Sequence, residues 1–165
     1  MRGTGTITVR RLAPDDWATW RDIRLVALAD APYAFGSSLA RERGLTEAEW
    51  RGRLAPEHGV TAVATLGERV VGAIGGYTPP GAAAVLLIAM WAHPDVRGRG
   101  VGDLLVREVL AWAGENGWSQ VRLRVAEGNA PARRLFERHG FVPTGQRDAL
   151  ESNPNVYTET LARTV

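Results

Sequence analysis

Hydrophobic positions along the chain alternate between a strand period and a helix period. Residues 6–12, Thr6-Ile7-Thr8-Val9-Arg10-Arg11-Leu12, are rich in β-branched side chains and predict a first strand. Pro14-Asp15-Asp16 reads as a helix start with carboxylates in its first turn. Beyond it Trp17, Trp20, Ile23, Leu25 and Leu28 recur broadly on one side, and the helix stops near Asp30-Ala31-Pro32. Residues 33–38 read as a loop carrying two aromatics, Tyr33 and Phe35. Thr46 with Glu49 three residues on is a capping-box pattern, opening a short helix through Trp50 to Leu54. Residues 60–66 and 69–77 predict two strands joined in a hairpin at Gly67-Glu68. Gly72, Gly75 and Gly76 in the second of them predict a bulge or the close approach of another segment.

The chain is organised around residues 83–118. Residues 83–92 carry no charge and predict a central strand, which stops at His93-Pro94. Arg97-Gly98-Arg99-Gly100-Val101-Gly102 comes next, and a helical pattern runs on to Gly117. In that helix Val101, Leu105, Val109, Trp112 and Ala113 fall on one arc, and Asp103, Arg107, Glu108 and Glu115 on the other. Strand, glycine turn and helix start together make an anion site. The glycines let backbone N–H groups approach a ligand closely, the helix end supplies unpaired donors and the positive end of its dipole, and Arg97 and Arg99 add fork-shaped cations. A pyrophosphate suits that arrangement. The same glycines also serve a plain β–α turn, where they only cap its elements.

Val121-Arg122-Leu123-Arg124-Val125 alternates and predicts the next strand, parallel to the central one by the crossover rule. Asn129 caps a short helix with Ala132, Leu135 and Phe136 inward and Arg133, Arg134, Glu137 and Arg138 outward. Gly140-Phe141 is a left-handed helix stop with a hydrophobic follower. Residues 142–147 and 156–161 give two last strands joined by a loop containing Ser152-Asn153-Pro154-Asn155. The element order is that of one mixed α/β domain spanning residues 1–165.

Composition narrows the function. The 165 residues are 45% hydrophobic and 23% charged, which is globular usage. Neither a long apolar segment nor a basic-then-apolar leader is present, so the expected location is cytoplasmic, without a membrane partner. With no cysteine there is no thiol nucleophile and no thiolate metal site, and His58, His93 and His139 stand far apart without metal-ligand spacing; no metal is expected. All 20 basic residues are arginine, yet the formal net charge is only +2 and the arginines alternate with acids. That pattern argues against a nucleic-acid surface.

The run Ala92-His93-Pro94-Asp95-Val96 leading into Arg97-Gly98-Arg99-Gly100-Val101-Gly102 resembles the acyl-CoA signature of the GNAT superfamily of N-acetyltransferases. Asn129-Ala130-Pro131-Ala132-Arg133-Arg134-Leu135-Phe136, closed by Gly140-Phe141, resembles that family's second signature. The resemblance implies a GNAT-like domain: a mixed, mostly antiparallel sheet of about seven strands flanked by about four helices. It implies acetyl-CoA as cosubstrate, with the backbone of Met90, Trp91 and Ala92 pairing with the pantetheine arm. The amides of Gly98, Arg99, Gly100, Val101 and Gly102 would bind the pyrophosphate, and Asn129 and Phe136 would contact the cofactor. A homodimer is the family habit.

The implied reaction is direct acetyl transfer to a primary amine of a small molecule (amino acid, polyamine, antibiotic-like amine) or a peptide. A backbone N–H near Ala92 would stabilise the oxyanion. Tyr33, Phe35 and Trp91 are candidates to line the acceptor pocket, or equally to pack the core. The family often has a tyrosine where Phe136 stands, proposed to protonate the leaving thiolate, so the general acid is unassigned here. No carboxylate lies on residues 85–92; Glu127 is the first candidate base, followed by Glu42 and His93. His139, in a helix's last turn, reads as a dipole-favoured surface group. The bare central strand and Phe136 motivate an alternative, a coenzyme A-binding regulatory module without efficient catalysis. A P-loop is absent, because no Gly-Lys-Ser/Thr follows the turn.

Overall fold

The computed structural model describes residues 5–32, 37–151 and 153–165. The strands are β1 (Ile7–Arg11), β2 (Gly59–Leu66), β3 (Arg69–Tyr77), β4 (Val85–Ala92), β5 (Gln120–Ala126), β6 (Val142–Leu150) and β7 (Asn153–Thr164). The helices among the described residues are α1 (Trp17–Asp30), α2 (Leu39–Arg43), α3 (Glu47–Arg53), α4 (Val101–Glu115) and α5 (Ala130–Arg138). One sheet of seven strands forms in the order β1-β2-β3-β4-β5-β7-β6. Every neighbouring pair is antiparallel except β4 with β5, which are parallel across the α4 crossover.

Two apolar clusters cover the two faces. On one face α4 buries Val101, Leu105, Val106, Val109 and Ala113 against β2, β3, β4 and β5, with Leu135 and Phe136 of α5 and Phe141 beside them. Gly72 and Gly76 permit this. A Cβ on Gly72 would lie 3.0 Å from Val101 Cγ1, and one on Gly76 would lie 3.1 Å from Val109 Cγ1, so α4 rests directly on the β3 backbone. On the other face Trp20, Ile23, Ala27 and Leu28 of α1 and Trp50 of α3 pack on Val63, Ala73 and Trp91. These helices cover only the half of that face around β2 and β3. Leu86 and Ile88 on β4 remain 36% and 46% exposed.

The bulge expected from the β3 glycines forms beside Gly72, where Ala64 pairs with Gly72 but Thr65 with Val70, so β3 carries an extra residue against β2. A second bulge faces β4, and there the extra residue is on β4. Ala73 pairs with Trp91 and Gly75 with Ile88, so two steps on β3 match three on β4. Ala89 sits in the bulge at φ 58°, a left-handed conformation costly for a residue with a Cβ. A one-residue slip exchanges the faces of a strand. Before the bulge Val85 and Leu87 face α4; after it Met90 and Ala92 do, and Trp91 turns toward α1.

Three local readings differ from the sequence expectation. A fifth helix, α2, follows Ser38, whose Oγ accepts from Arg41 N at 3.2 Å. β6 and β7 are longer than expected: Leu150 already pairs with Asn153, so Asn153, Pro154 and Asn155 belong to the strand and not to a loop. Residues 83–84 precede β4, which begins at Val85. The capping box is present as read, with Glu49 N donating to Thr46 Oγ1 at 3.2 Å and Thr46 N to Glu49 Oε1 at 3.4 Å.

Candidate functional site

The glycine turn lies at the C-terminal end of β4. A single helical turn, Pro94–Val96, leads to Gly98 at φ 79° and Gly100 at φ 80°, and α4 starts at Val101. Among the described residues the N–H groups of Gly98, Gly100, Val101, Gly102 and Asp103 donate to no backbone carbonyl. A Cβ on Gly98 or Gly100 would meet no heavy atom within 4 Å, so the donors open onto free space. An anionic ligand satisfies such donors without reorganisation. Gly102 acts differently. A Cβ there would lie 2.8 Å from Leu135 Cδ2, so this glycine sets how closely α5 approaches α4.

The two arginines of the turn differ. Arg99 is exposed and forms no ion pair among the described residues. Arg97 is committed elsewhere, donating from Nε to Ala92 O at 3.1 Å and from NH2 to Asp30 Oδ2 at 2.7 Å. Trp91 Nε1 donates to the same carboxylate oxygen at 2.9 Å. The hydrogen bonds from Trp91 and Arg97 hold the Asp30 carboxyl below its ordinary range. Asp30 thus ties the end of α1 to both the bulged strand and the turn.

Beside the turn the sheet is split. β4 and β5 pair only at Val85 with Val121 and Leu86 with Arg122. Past that point residues 87–92 and residues 123–126 do not pair with one another, although β3 and β7 occupy their outer edges. Unpaired edges facing each other are a template for an extended polar chain. The amide-bearing arm of acetyl-CoA is such a chain, and Met90, Trp91 and Ala92 lie along the β4 side of the split. At its far end Asn129 Oδ1 accepts from Ala132 N at 3.4 Å, the N-cap role read from the sequence. Phe136 is 5% exposed and packs edge-to-face on Phe141 with ring centroids 5.9 Å apart.

The split opens, on the face away from α4, into two adjoining cavities. One of about 650 Å³ lies between α1, α3 and the β2–β3 hairpin, and reaches His58 and Tyr77. The other, about 510 Å³, has Leu86, Ile88 and Ala89 as its floor and Arg122, Arg124 and Thr158 as its wall. Arg24, Ile88 and Ala89 line both. Arg122 and Arg124 were legible as an alternation on β5 but not as part of a site. The signal in the sequence was two cations two residues apart, alternating with the apolar Val121, Leu123 and Val125.

The residues proposed for acid–base work are placed differently from a catalytic set. The Glu127 carboxylate accepts from Arg147 Nε at 2.5 Å, and that hydrogen bond lowers its pKa, which weakens it as a base. Glu42 is fully buried between Arg24 Nε at 2.9 Å and Arg53 NH1 at 2.7 Å. Burial raises its carboxyl pKa, but Arg24 and Arg53 outweigh burial and hold it low. His93 Nδ1 accepts from Asp95 N at 3.1 Å and its Nε2 lies 3.0 Å from Arg69 NH2. His139 is a half-buried partner of Asp103, at 2.7 Å, and not a free surface group. Trp91 is 4% exposed and packs with α1, so its ring belongs to the core and not to either cavity. Tyr33 and Phe35 lie outside the described residues. Among those residues no cluster of His, Cys, Asp and Glu could hold a metal, and no helix is long and apolar enough to cross a membrane.

A mixed sheet split between its two parallel strands, with an amide-lined turn at the split, is the acetyltransferase fold. It superimposes with a TM-score of 0.80 on an acetyltransferase of the GNAT family from Streptococcus pneumoniae, at 22% identity over 97% of this chain and 99% of that one. It superimposes with a TM-score of 0.77 on yncA of Salmonella typhimurium, a putative acetyltransferase solved with its cofactor acetyl-CoA, at 17% identity over 97% of this chain and 94% of that one. The chain belongs to the acetyltransferase (GNAT) family, whose model matches residues 17–141. Over 93 residues it is 34% identical to the mouse protein described as probable N-acetyltransferase family 8 member 5, covering 54% of this chain and 41% of that one. The chain therefore spans about two-fifths of the length of the curated relatives it matches.

Proposed function

We propose that the chain is one N-acetyltransferase domain over residues 1–165, transferring an acetyl group directly from acetyl-CoA to a primary amine of a small molecule or peptide. The observation that carries this reading is the unpaired split between β4 and β5 ending at free amides of the glycine turn. Bound there, acetyl-CoA supplies an acyl group activated as a thioester. The amides of Gly98, Gly100, Val101 and Gly102, with the cation of Arg99, hold its pyrophosphate. The β4 edge from Met90 to Ala92 orients the arm, and the split delivers the acetyl end to the cavities over Ile88 and Ala89.

In the transfer the amine nitrogen forms a C–N bond, the thioester C–S bond breaks, the amine gives up a proton to water and the thiolate leaves. A thiol of ordinary pKa about 8.5 departs without a dedicated acid, which accommodates Phe136. Glu127, Glu42 and His93 are each engaged with neighbours, so the acceptor enters as its neutral amine. A cytoplasmic homodimer acting on soluble amines, without nucleic acid, membrane or metal, completes the proposal. The bare β4 and Phe136 favour a second reading, a coenzyme A-binding module with no efficient catalysis. Thiol release from acetyl-CoA across an amine panel separates the two. Turnover supports the enzyme, and binding without any turnover supports the module.

A further inference from the structure

We infer that the acceptor of this enzyme carries an acidic group beside its amine, held by Arg122 and Arg124 in the cavity over β4, β5 and β7. The inference rests on the acyl-transfer reading above. Arg122 and Arg124 are two residues apart on β5, so both guanidiniums leave the same face of the sheet, the one that carries the exposed Leu86 and Ile88. Each is held from one side by neutral partners. Arg122 Nε donates to Gln120 Oε1 at 2.7 Å. Arg124 Nε donates to Thr158 Oγ1 at 3.0 Å, and its NH2 donates to Ala149 O at 3.3 Å.

Among the described residues neither forms an ion pair, whereas Arg11, Arg51, Arg133 and Arg147 all do. Two oriented guanidiniums with no carboxylate, facing a cavity of about 510 Å³, form a receptor for one. The remaining charged lining does not cancel them. Arg24 adds a third cation, already bonded to Glu42, and Glu151 is the lone acid of the lining, exposed at the rim.

The placement also fits the chemistry. Ile88 and Ala89 floor the cavity where β4 leaves β5, the place to which the split delivers the acetyl end. An acidic group on the β5 wall leaves an amine a few bonds away over that floor, with Leu86 and Ile88 free to take an aliphatic side chain. The chemistry recognised is an amine bearing a carboxylate or a phosphonate, such as a small amino acid or aminophosphonate. A polyamine, whose charges are all positive, meets three arginines here against the single carboxylate of Glu151.

The test measures thiol release from acetyl-CoA with matched acceptors: an aliphatic amino acid, its primary amide, its decarboxylated amine and its aminophosphonate. Acetyl-CoA binding is measured separately by calorimetry. The expected result is a kcat/KM for the acidic acceptors roughly ten- to a hundredfold above the amide and the decarboxylated amine. That preference should disappear in Arg122→Gln and Arg124→Gln through a raised acceptor KM, with the acetyl-CoA KM unmoved and folding confirmed by thermal melts. The ratio of carboxylate to phosphonate rates tells which acid the site prefers. An enzyme that binds acetyl-CoA yet uses the decarboxylated amine as well as the amino acid overturns the acid site alone. A chain that binds no acetyl-CoA overturns both this inference and the reading beneath it.

Discussion

Gly100 sits at φ 80° with no heavy atom within 4 Å of where a Cβ would be. A side chain there meets no clash but must adopt a left-handed backbone, which costs about 1–2 kcal/mol. It also enters the open space beside the turn. Gly100→Ala is therefore expected to lower the melting temperature modestly and to weaken acetyl-CoA binding by more than the stability change explains. Calorimetry and thermal melts on one preparation check both. That glycine was legible because a sequence announces a turn locally. Arg97 was not legible: its partner Asp30 lies 67 positions earlier, and only tertiary structure brings the guanidinium onto that carboxylate. The direction of Trp91 was equally hidden, because it depends on the bulge at Ala89, which sits inside an apolar run carrying no turn signal.

At the scale of elements, α1, α2 and α3 are joined by one carboxylate. Glu42 on α2 is fully buried and accepts from Arg24 on α1 and Arg53 on α3. Removing its charge takes the shared carboxylate from Arg24 and Arg53, and breaking a buried pair from one side costs about 3–5 kcal/mol. Glu42→Gln is expected to lose stability at the lower end of that range in denaturant melts at pH 7. The pH dependence follows from the sign. The folded pKa of Glu42 is lowered, so its stabilisation is complete above the ordinary glutamate value of about 4.3 and is lost as pH falls through the lowered folded value. The gap between wild type and Glu42→Gln should therefore close as the solution is acidified below about pH 4.

Across the other face, Phe136 of α5 packs on Phe141, and Phe136→Ala is expected to cost about 3–5 kcal/mol, read from the same melts. The strands and long helices were legible because their hydrophobic periods are sustained. The five residues of α2 make too short a period to see, although Ser38 marks its start. The extended β6 and β7 were obscured by Asn153-Pro154-Asn155, residues that locally favour a turn but pair here across the hairpin end.

The whole molecule puts the two faces of its sheet to different uses. One face is sealed by α4 and α5; the other is covered by α1 and α3 around β2 and β3 and left open over β4, β5 and β7. The order of elements, and with it the family, could be read from the chain. The split between β4 and β5 was implied only through the resemblance, which leaves Met90 to Ala92 to pair with the pantetheine arm; no residue between Leu87 and Ala92 itself announces where pairing stops. With the candidate bases Glu127, Glu42 and His93 each engaged by neighbours, kcat/KM is expected to climb with pH toward the acceptor's own pKa, near about 10 for an ordinary amine. Glu127→Gln should leave that profile in place. An inflection between about pH 5 and 7 that vanishes in Glu127→Gln would instead assign the base to Glu127.

Everything proposed for this molecule depends on the split and the turn together holding acetyl-CoA. Calorimetric titration of acetyl-CoA into the wild-type protein and into Gly100→Glu tests that dependence without intermediates. One-to-one binding by the wild type is expected, with its loss in the variant, whose carboxylate enters the space over the turn. A wild-type protein that takes up no acetyl-CoA, or a folded Gly100→Glu that binds it equally well, contradicts the proposed site.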